Sequence, residues 1–242
     1  MSELPQLTLP PELHHPAWLH GLSAFTSVRL CQGAPQFWPE HRTRLAATCA
    51  LLELVEPPEH LEISPEAATP EFALLRLTVT EAGRFVSWRP LGGRACGGVH
   101  VHLSSQQVHP QWGHHKTGNY LPYVLALREA RRSGAFEGLL TDAAGYIVDG
   151  SRSSLLARIG GELVVPEGGL SSVTRQATLQ ERGEPWAVRP LSLADLAGAE
   201  ALWLCGSGVG VRPVSRLSGP GGSLEFRVET VQTQHPGLVG LE

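Results

Sequence analysis

The sequence predicts a mixed α+β fold, and three observations carry that prediction. Segments of strand character outnumber helical ones without strict βαβ alternation, which disfavours a doubly wound parallel sheet. A β-hairpin is written into "FALLRLTVT" and "RFVSWRP", two β-rich runs joined by "EAG". Helical stretches with start and stop signals lie between the strand runs rather than after each of them.

In chain order, "AFTSVRL" (24 to 30) is β-rich and "QGAP" turns the chain. "PEHRTRLAATCALLEL" (39 to 54) sets Leu45, Cys49 and Leu52 at helical spacing behind a proline start. The hairpin follows, so residues 1 to about 103 read as one α+β unit. "SSQQVHPQWGHH" (104 to 115) is polar, holds Pro and Gly, lacks periodicity and reads as an interdomain linker. Residues 116 to 242 form the second α+β unit. There "PYVLALREARRSG" (122 to 134) is a helix between an opening Pro and a closing Gly. Short strands "EGLLT", "YIVDG", "SSLLARI" and "ELVVP" at Gly turns suggest a meander. A short helix "TRQATLQERG", the run "WAVRP", a loop or short helix near "LADLAG", and a strong strand "EALWLCGS" opening into "GVGVRPVSRL" complete it.

The 242 residues are 42% hydrophobic and 17% charged with a net charge of −4, the profile of an ordinary globular protein. Basic residues are not clustered, which argues against nucleic acid, and no apolar run approaches the length of a membrane span. "MSELPQLTLPPELHHP" lacks a basic start followed by an apolar run, and the reading is a cytoplasmic protein. Cys31, Cys49, Cys96 and Cys205 include no C-x-x-C pair, so reduced, buried thiols are expected. His14-His15, His100 with His102, and His114-His115 have no carboxylate or Cys at ligand spacing, and no metal is expected. Neither a G-x-G-x-x-G after a strand nor a G-x-x-x-x-G-K-[ST] is present.

One compositional oddity points to chemistry. Lys and Arg together number 19, and Lys occurs once, at Lys116 in "HHKTGNY". Arg stays protonated, whereas a desolvated Lys amine can lose its proton and condense with a carbonyl.

The segment "HKTGNYLPYVLALREARRSGAFEGLLTDAAGYIVDGSRSSLL" resembles the centre of the fold-type IV (class IV aminotransferase-like) pyridoxal-phosphate enzymes. Those include branched-chain and D-amino-acid aminotransferases and 4-amino-4-deoxychorismate lyase. The resemblance runs through roughly residues 20 to 215 and implies two α+β domains with pyridoxal 5'-phosphate in the cleft between them, in a homodimer acting on a small amino-group substrate. It makes Lys116 the lysine that condenses with the cofactor aldehyde and then serves as a base. "EHRTRLAATCALL" is similar to the family's His-x-x-Arg-Leu helix start, giving Arg44 the phosphate, for which a planar bidentate donor suits. "YIVDGSRSS" sets Asp149 where the family usually has Glu, to pair with the pyridine nitrogen. "GGLSSVTRQATLQ" is similar to the phosphate cup at a helix N-terminus and points to Val173 and Thr174. "LCGSGVGVRPV" implies that Ser207 and Gly208 complete that cup, and Tyr120 is placed on the cofactor or the lysine.

Two features lean to the lyase. Phe25-Thr26-Ser27 stands where aminotransferases commonly carry Phe-Glu or Tyr-Glu, and the spacing from Lys116 to Tyr120 is lyase-like. Gly206 ahead of Ser207 leans to an aminotransferase instead. Thr26 and Arg29, on the same strand, are the expected substrate contacts. A third reading is a catalytically weak cofactor-binding homologue, because "HGLSAF" replaces the family's Gly-Asp-Gly region and Asp149 its Glu.

Overall fold

A computed structural model describes residues 14 to 95 and 97 to 242, so the readings made of Cys96 and of the N-terminal stretch before His14 lie outside the described residues. Helix Pro16–Leu19 (α1) comes first, capped by His15, whose Nδ1 accepts the Ala17 N–H at 3.2 Å. Strand Ala24–Cys31 (β1) turns through Gln32 and Gly33, both at positive φ, into Ala34–Pro35 (β2). Helix Trp38–Leu51 (α2), the single turn Pro65–Ala68 (α3) and the strands Phe72–Thr80 (β3) and Gly83–Pro90 (β4) complete the first part.

These strands form an antiparallel sheet in the order β2-β1-β3-β4, with β3 and β4 as the expected hairpin. Its two faces divide by residue parity, as the pleat requires. Ala24, Val28 and Leu30 of β1 and Ala73, Leu75, Leu77 and Val79 of β3 pack with Leu45 and Cys49 of α2 in one apolar core. Phe25, Ser27, Leu74 and Arg76 therefore project from the opposite face.

The second part is larger. Strand Val99–Gln107 (β5) leads by helix Leu121–Arg132 (α4) to Glu137–Thr141 (β6). Ile147–Gly150 (β7), Ser154–Ile159 (β8), Glu162–Pro166 (β9), helix Val173–Arg182 (α5) and Trp186–Arg189 (β10) follow. Helix Leu193–Ala197 (α6), Ala201–Gly206 (β11), Gly210–Gly219 (β12) and Gly222–Glu225 (β13) come last. The sheet order is β10-β9-β8-β11-β12-β5-β6-β7, with β13 on β12.

Two expectations change here. The linker expected over 104 to 115 starts inside a strand, because β5 runs through Gln107 and pairs in parallel with β12 and β6, so the second sheet begins at Val99. The side chains of 104 to 106 are polar because Ser104, Ser105 and Gln106 all bond the Glu129 carboxylate of α4, so their polarity reports a helix contact. The meander is also broken. β6 pairs with β7 and β8 with β9, but the other neighbour of β8 is β11. The chain leaves β7 through Gly150, where an added Cβ would come within 2.6 Å of the Ser153 carbonyl, so this turn needs Gly.

Successive residues of β8 serve different cores. Leu155 and Ala157 join a cluster with Leu196 of α6, and Leu156 joins Trp203 and Leu179 of α5. No helix among the described residues is long and apolar enough to cross a membrane.

Candidate active site

A cavity of about 330 Å³ lies between the two sheets. Its first wall is the face of the small sheet turned from its own core: Phe25 and Ser27 of β1, Leu74 and Arg76 of β3 and Arg89 of β4. The opposite wall holds Lys116, Tyr120, Asp149 and the turn 150 to 153, the start of α5, and residues 205 to 209 after β11. Arg44 reaches in from α2.

Lys116 Nζ donates to the Tyr120 hydroxyl at 3.0 Å and lies 4.7 Å from the centre of the Phe25 ring and 4.8 Å from that of Tyr120. Burial, reinforced by the Arg44 cation and opposed by Asp149, pulls its pKa down from 10.5 to about 7. A substantial share of this amine is thus neutral near pH 7. Asp149, at the end of β7, is 3% exposed and accepts the Gly150 N–H at 3.1 Å. Burial raises its pKa, while Arg175, a hydrogen bond from Ser154 and Lys116 hold that rise in check.

Arg44 is oriented by two bonds, Nη1 to the Ser171 carbonyl at 2.8 Å and Nη2 to Thr26 Oγ1 at 3.0 Å. Its Nε is buried with no hydrogen-bond partner. Helix α5 starts from Ser172, whose hydroxyl caps the Arg175 N–H at 3.3 Å. The N–H groups of Val173 and Thr174, in its first turn, have no intrahelical acceptor and sit at the positive end of the helix dipole. Ser207 Oγ lies 3.4 Å from His41 Nε2.

Arg44, Lys116, Tyr120, Asp149, Val173, Thr174, Ser207 and Gly208 all line this one cavity. Thr26 and Arg29 do not. Thr26 belongs to the α2 side of β1, fully buried, and its hydroxyl is 3.0 Å from His41 Nδ1 and holds Arg44. Arg29 shares the Phe25 side but lies beyond the cavity, with its guanidinium on the carbonyls of Ser207, Pro236 and Val239. It is buried outside the cavity lining and spends its Nε and Nη1 on main-chain carbonyls, which corrects its expected role as a substrate contact.

Sequence reading missed Ser27, His41, Arg76, Arg89 and Arg152, all on the cavity wall. The Arg76 guanidinium lies 3.5 Å from the centre of the Phe25 ring. Alternation along β3, apolar at 73, 75, 77 and 79, was a readable signal that Arg76 faces away from the core. His41 is 2% exposed, and burial together with Arg44 and Lys116 holds its imidazole well below its usual pKa, hence neutral. Of the paired histidines, His100 and His102 both reach Ser218 Oγ on β12, at 2.8 and 3.0 Å.

A family model described as amino-transferase class IV matches residues 23–217. The chain belongs to that family. A solved structure provisionally described as a 4-amino-4-deoxychorismate lyase is 38% identical, with a TM-score of 0.76 over 88% of this chain and 92% of that one. The aminodeoxychorismate lyase of Vibrio harveyi is 22% identical over 94% of both chains. The D-amino-acid transaminase of Arabidopsis thaliana is 32% identical over 48% of this chain and 35% of its own length. The local matches to class IV aminotransferases span about a third of those proteins.

Proposed function

We propose that the chain is a pyridoxal-phosphate-dependent 4-amino-4-deoxychorismate lyase, releasing pyruvate and leaving 4-aminobenzoate. The observation that carries an enzyme of this cofactor class is that the one lysine of the chain shares a cavity with Asp149, Arg44 and the start of α5.

The residues present fit the cofactor. A phosphate dianion would meet Arg44, whose buried Nε lacks an acceptor, and the two free N–H groups of α5, with Ser207 beside them. Asp149 would lie at the ring nitrogen, and Lys116 at the aldehyde. When bound, pyridoxal phosphate supplies a carbonyl for the amine and a ring that accepts electron density from the substrate's α-carbon.

The chain's own contribution follows from the geometry. Phe25 and Tyr120 crowd the Lys116 amine and limit its hydration, which favours its neutral, nucleophilic form. Once substrate displaces it, the same amine is placed to take the α-proton, with the Tyr120 hydroxyl fixing its direction. Asp149 supplies negative charge where the ring nitrogen is held protonated. Arg76, Arg89 and Arg152 line the cavity and suit a substrate bearing carboxylates.

For the lyase over an aminotransferase, the support is the end-to-end similarity to the Vibrio enzyme, set against local matches to transaminases, together with Phe25-Thr26-Ser27. The alternative, a branched-chain or D-amino-acid aminotransferase, is favoured by Gly206 before Ser207. The test is to supply 4-amino-4-deoxychorismate and measure pyruvate and 4-aminobenzoate, beside amino-group transfer to 2-oxoglutarate. Transfer without elimination selects the alternative; a cofactor-loaded protein giving neither product is the catalytically weak homologue. The lyase reading places the reaction in folate synthesis in the cytoplasm.

A homodimer is part of the same reading. Trp18, Leu19, Phe85, Val86 and Leu121 line a second hollow and are each more than two-fifths exposed. An apolar surface of this kind suits a second copy, and sedimentation at equilibrium tests it.

A further inference from the structure

Arg29 is a large buried cation, 1% exposed, whose acceptors are three main-chain carbonyls. Nε donates to Ser207 at 2.8 Å, and Nη1 to Pro236 at 3.0 Å and Val239 at 2.6 Å. Nη2 has no partner. A guanidinium held this way is expensive to leave with fewer acceptors, so the segments donating those carbonyls are tied to one another through it. One is the cavity loop after β11. The other is the C-terminal segment 235 to 242.

That segment is fitted closely along its length. The His235 ring stacks on Phe37 at 4.4 Å, directly before α2, the helix that carries Arg44. Leu238 is 1% exposed in the core beneath Trp203, and its carbonyl accepts the Val211 N–H at 3.0 Å. Gly210 has φ +70°, and a Cβ there would fall 2.0 Å from the Val239 oxygen, so the segment lies directly on the backbone of β12. The Leu241 N–H donates to Val209 at 2.9 Å, and Glu242 lines the cavity beside Val209. The loop Ser207–Gly208–Val209 is thus held by Arg29 at one end and by the C-terminal segment at the other.

We propose that Arg29 is a positioning residue that couples the C-terminal segment 235 to 242 to the cavity loop 207 to 209, so that the loop takes its ligand-binding shape only while the segment is docked. The ligand side rests on the pyridoxal-phosphate reading above; the coupling itself does not. Linkage makes the relation reciprocal: whatever binds the loop must also hold the segment.

The test is hydrogen exchange on the ligand-free 242-residue chain and on Leu238→Ala, Arg29→Lys and Arg29→Met. Leu238→Ala leaves both Arg29 and the loop unchanged in sequence. It is expected to speed exchange at the Leu241 amide and, by about tenfold or more, at the Val209 amide, which bonds the Gly206 carbonyl, while the amides of β8 keep their wild-type rates. Arg29→Met acts from the other side with the same signature, and Arg29→Lys falls between. In wild type, saturating pyridoxal phosphate slows Leu241, and Leu238→Ala weakens its binding about tenfold. Faster exchange at Leu241 with Val209 unchanged overturns the coupling, whatever the ligand does. If Arg29→Met does not fold, Leu238→Ala and Arg29→Lys decide alone. A wild type that binds no pyridoxal phosphate refutes the cofactor reading, and the ligand-free exchange still decides the coupling.

Discussion

Replacing Lys116 by Met tests the low pKa of the amine through its effect on stability. In the unfolded ligand-free chain the amine titrates near 10.5, and in the folded chain near 7, with burial and then Arg44 as the causes. Below pH 7 it is protonated in both states, and folding bears the full cost of desolvating the cation. Above pH 7 the folded state releases the proton while the unfolded state keeps it, so stability rises with pH until the unfolded amine also titrates. The ceiling on that slope is about 1.4 kcal/mol per pH unit. Because Lys116 is partly open to solvent through the cavity, about half of that is the working expectation. Between pH 7 and 9 the wild type should therefore gain roughly 1.5 kcal/mol over Lys116→Met. Urea unfolding of both ligand-free proteins at pH 7, 8 and 9 measures it, and the subtraction removes the thiols of Cys49 and Cys205, whose raised pKa values act on both proteins alike. A difference that stays flat across that range would refute the argument that the cavity desolvates this amine.

Arg44→Gln should weaken pyridoxal-phosphate binding ten- to a hundredfold, about the worth of a charge-assisted hydrogen bond to a phosphate, read by absorbance titration. Gly138→Ala should lower Tm by roughly 5 to 10 °C, because its Cβ would lie 2.4 Å from the Ala126 carbonyl of α4 and force the helix off β6; calorimetry checks it. Burial alone would raise the Glu129 pKa, but hydrogen bonds from Ser104, Ser105 and Gln106 bring it down to about 2. Its contribution to stability is accordingly complete above about pH 4.5 and lost as pH falls toward 2. Glu129→Gln should cost about 1 kcal/mol at pH 6 and roughly a quarter of that at pH 2.5 in urea titrations.

The sequence by itself determined whatever rests on local physics. Hairpin β3–β4 was legible because two β-rich runs meet at a short turn, and α4 because Pro and Gly bracket an amphipathic run. Lys116 stood out because no other position in the chain keeps an amine. What only the tertiary structure decided depends on partners far along the chain. β1 is buried on both sides, so its sequence does not alternate, and nothing local told that Ser27 faces the cavity while Thr26 faces α2. Arg29 looked free for a substrate because its acceptors, at 207, 236 and 239, are more than 170 positions away. The parallel pairing of β5 with β6 and β12 was hidden behind polar residues that answer to a carboxylate on α4. Periodicity reports how a segment meets water, whereas the choice of neighbour is made by a packing that no single segment contains.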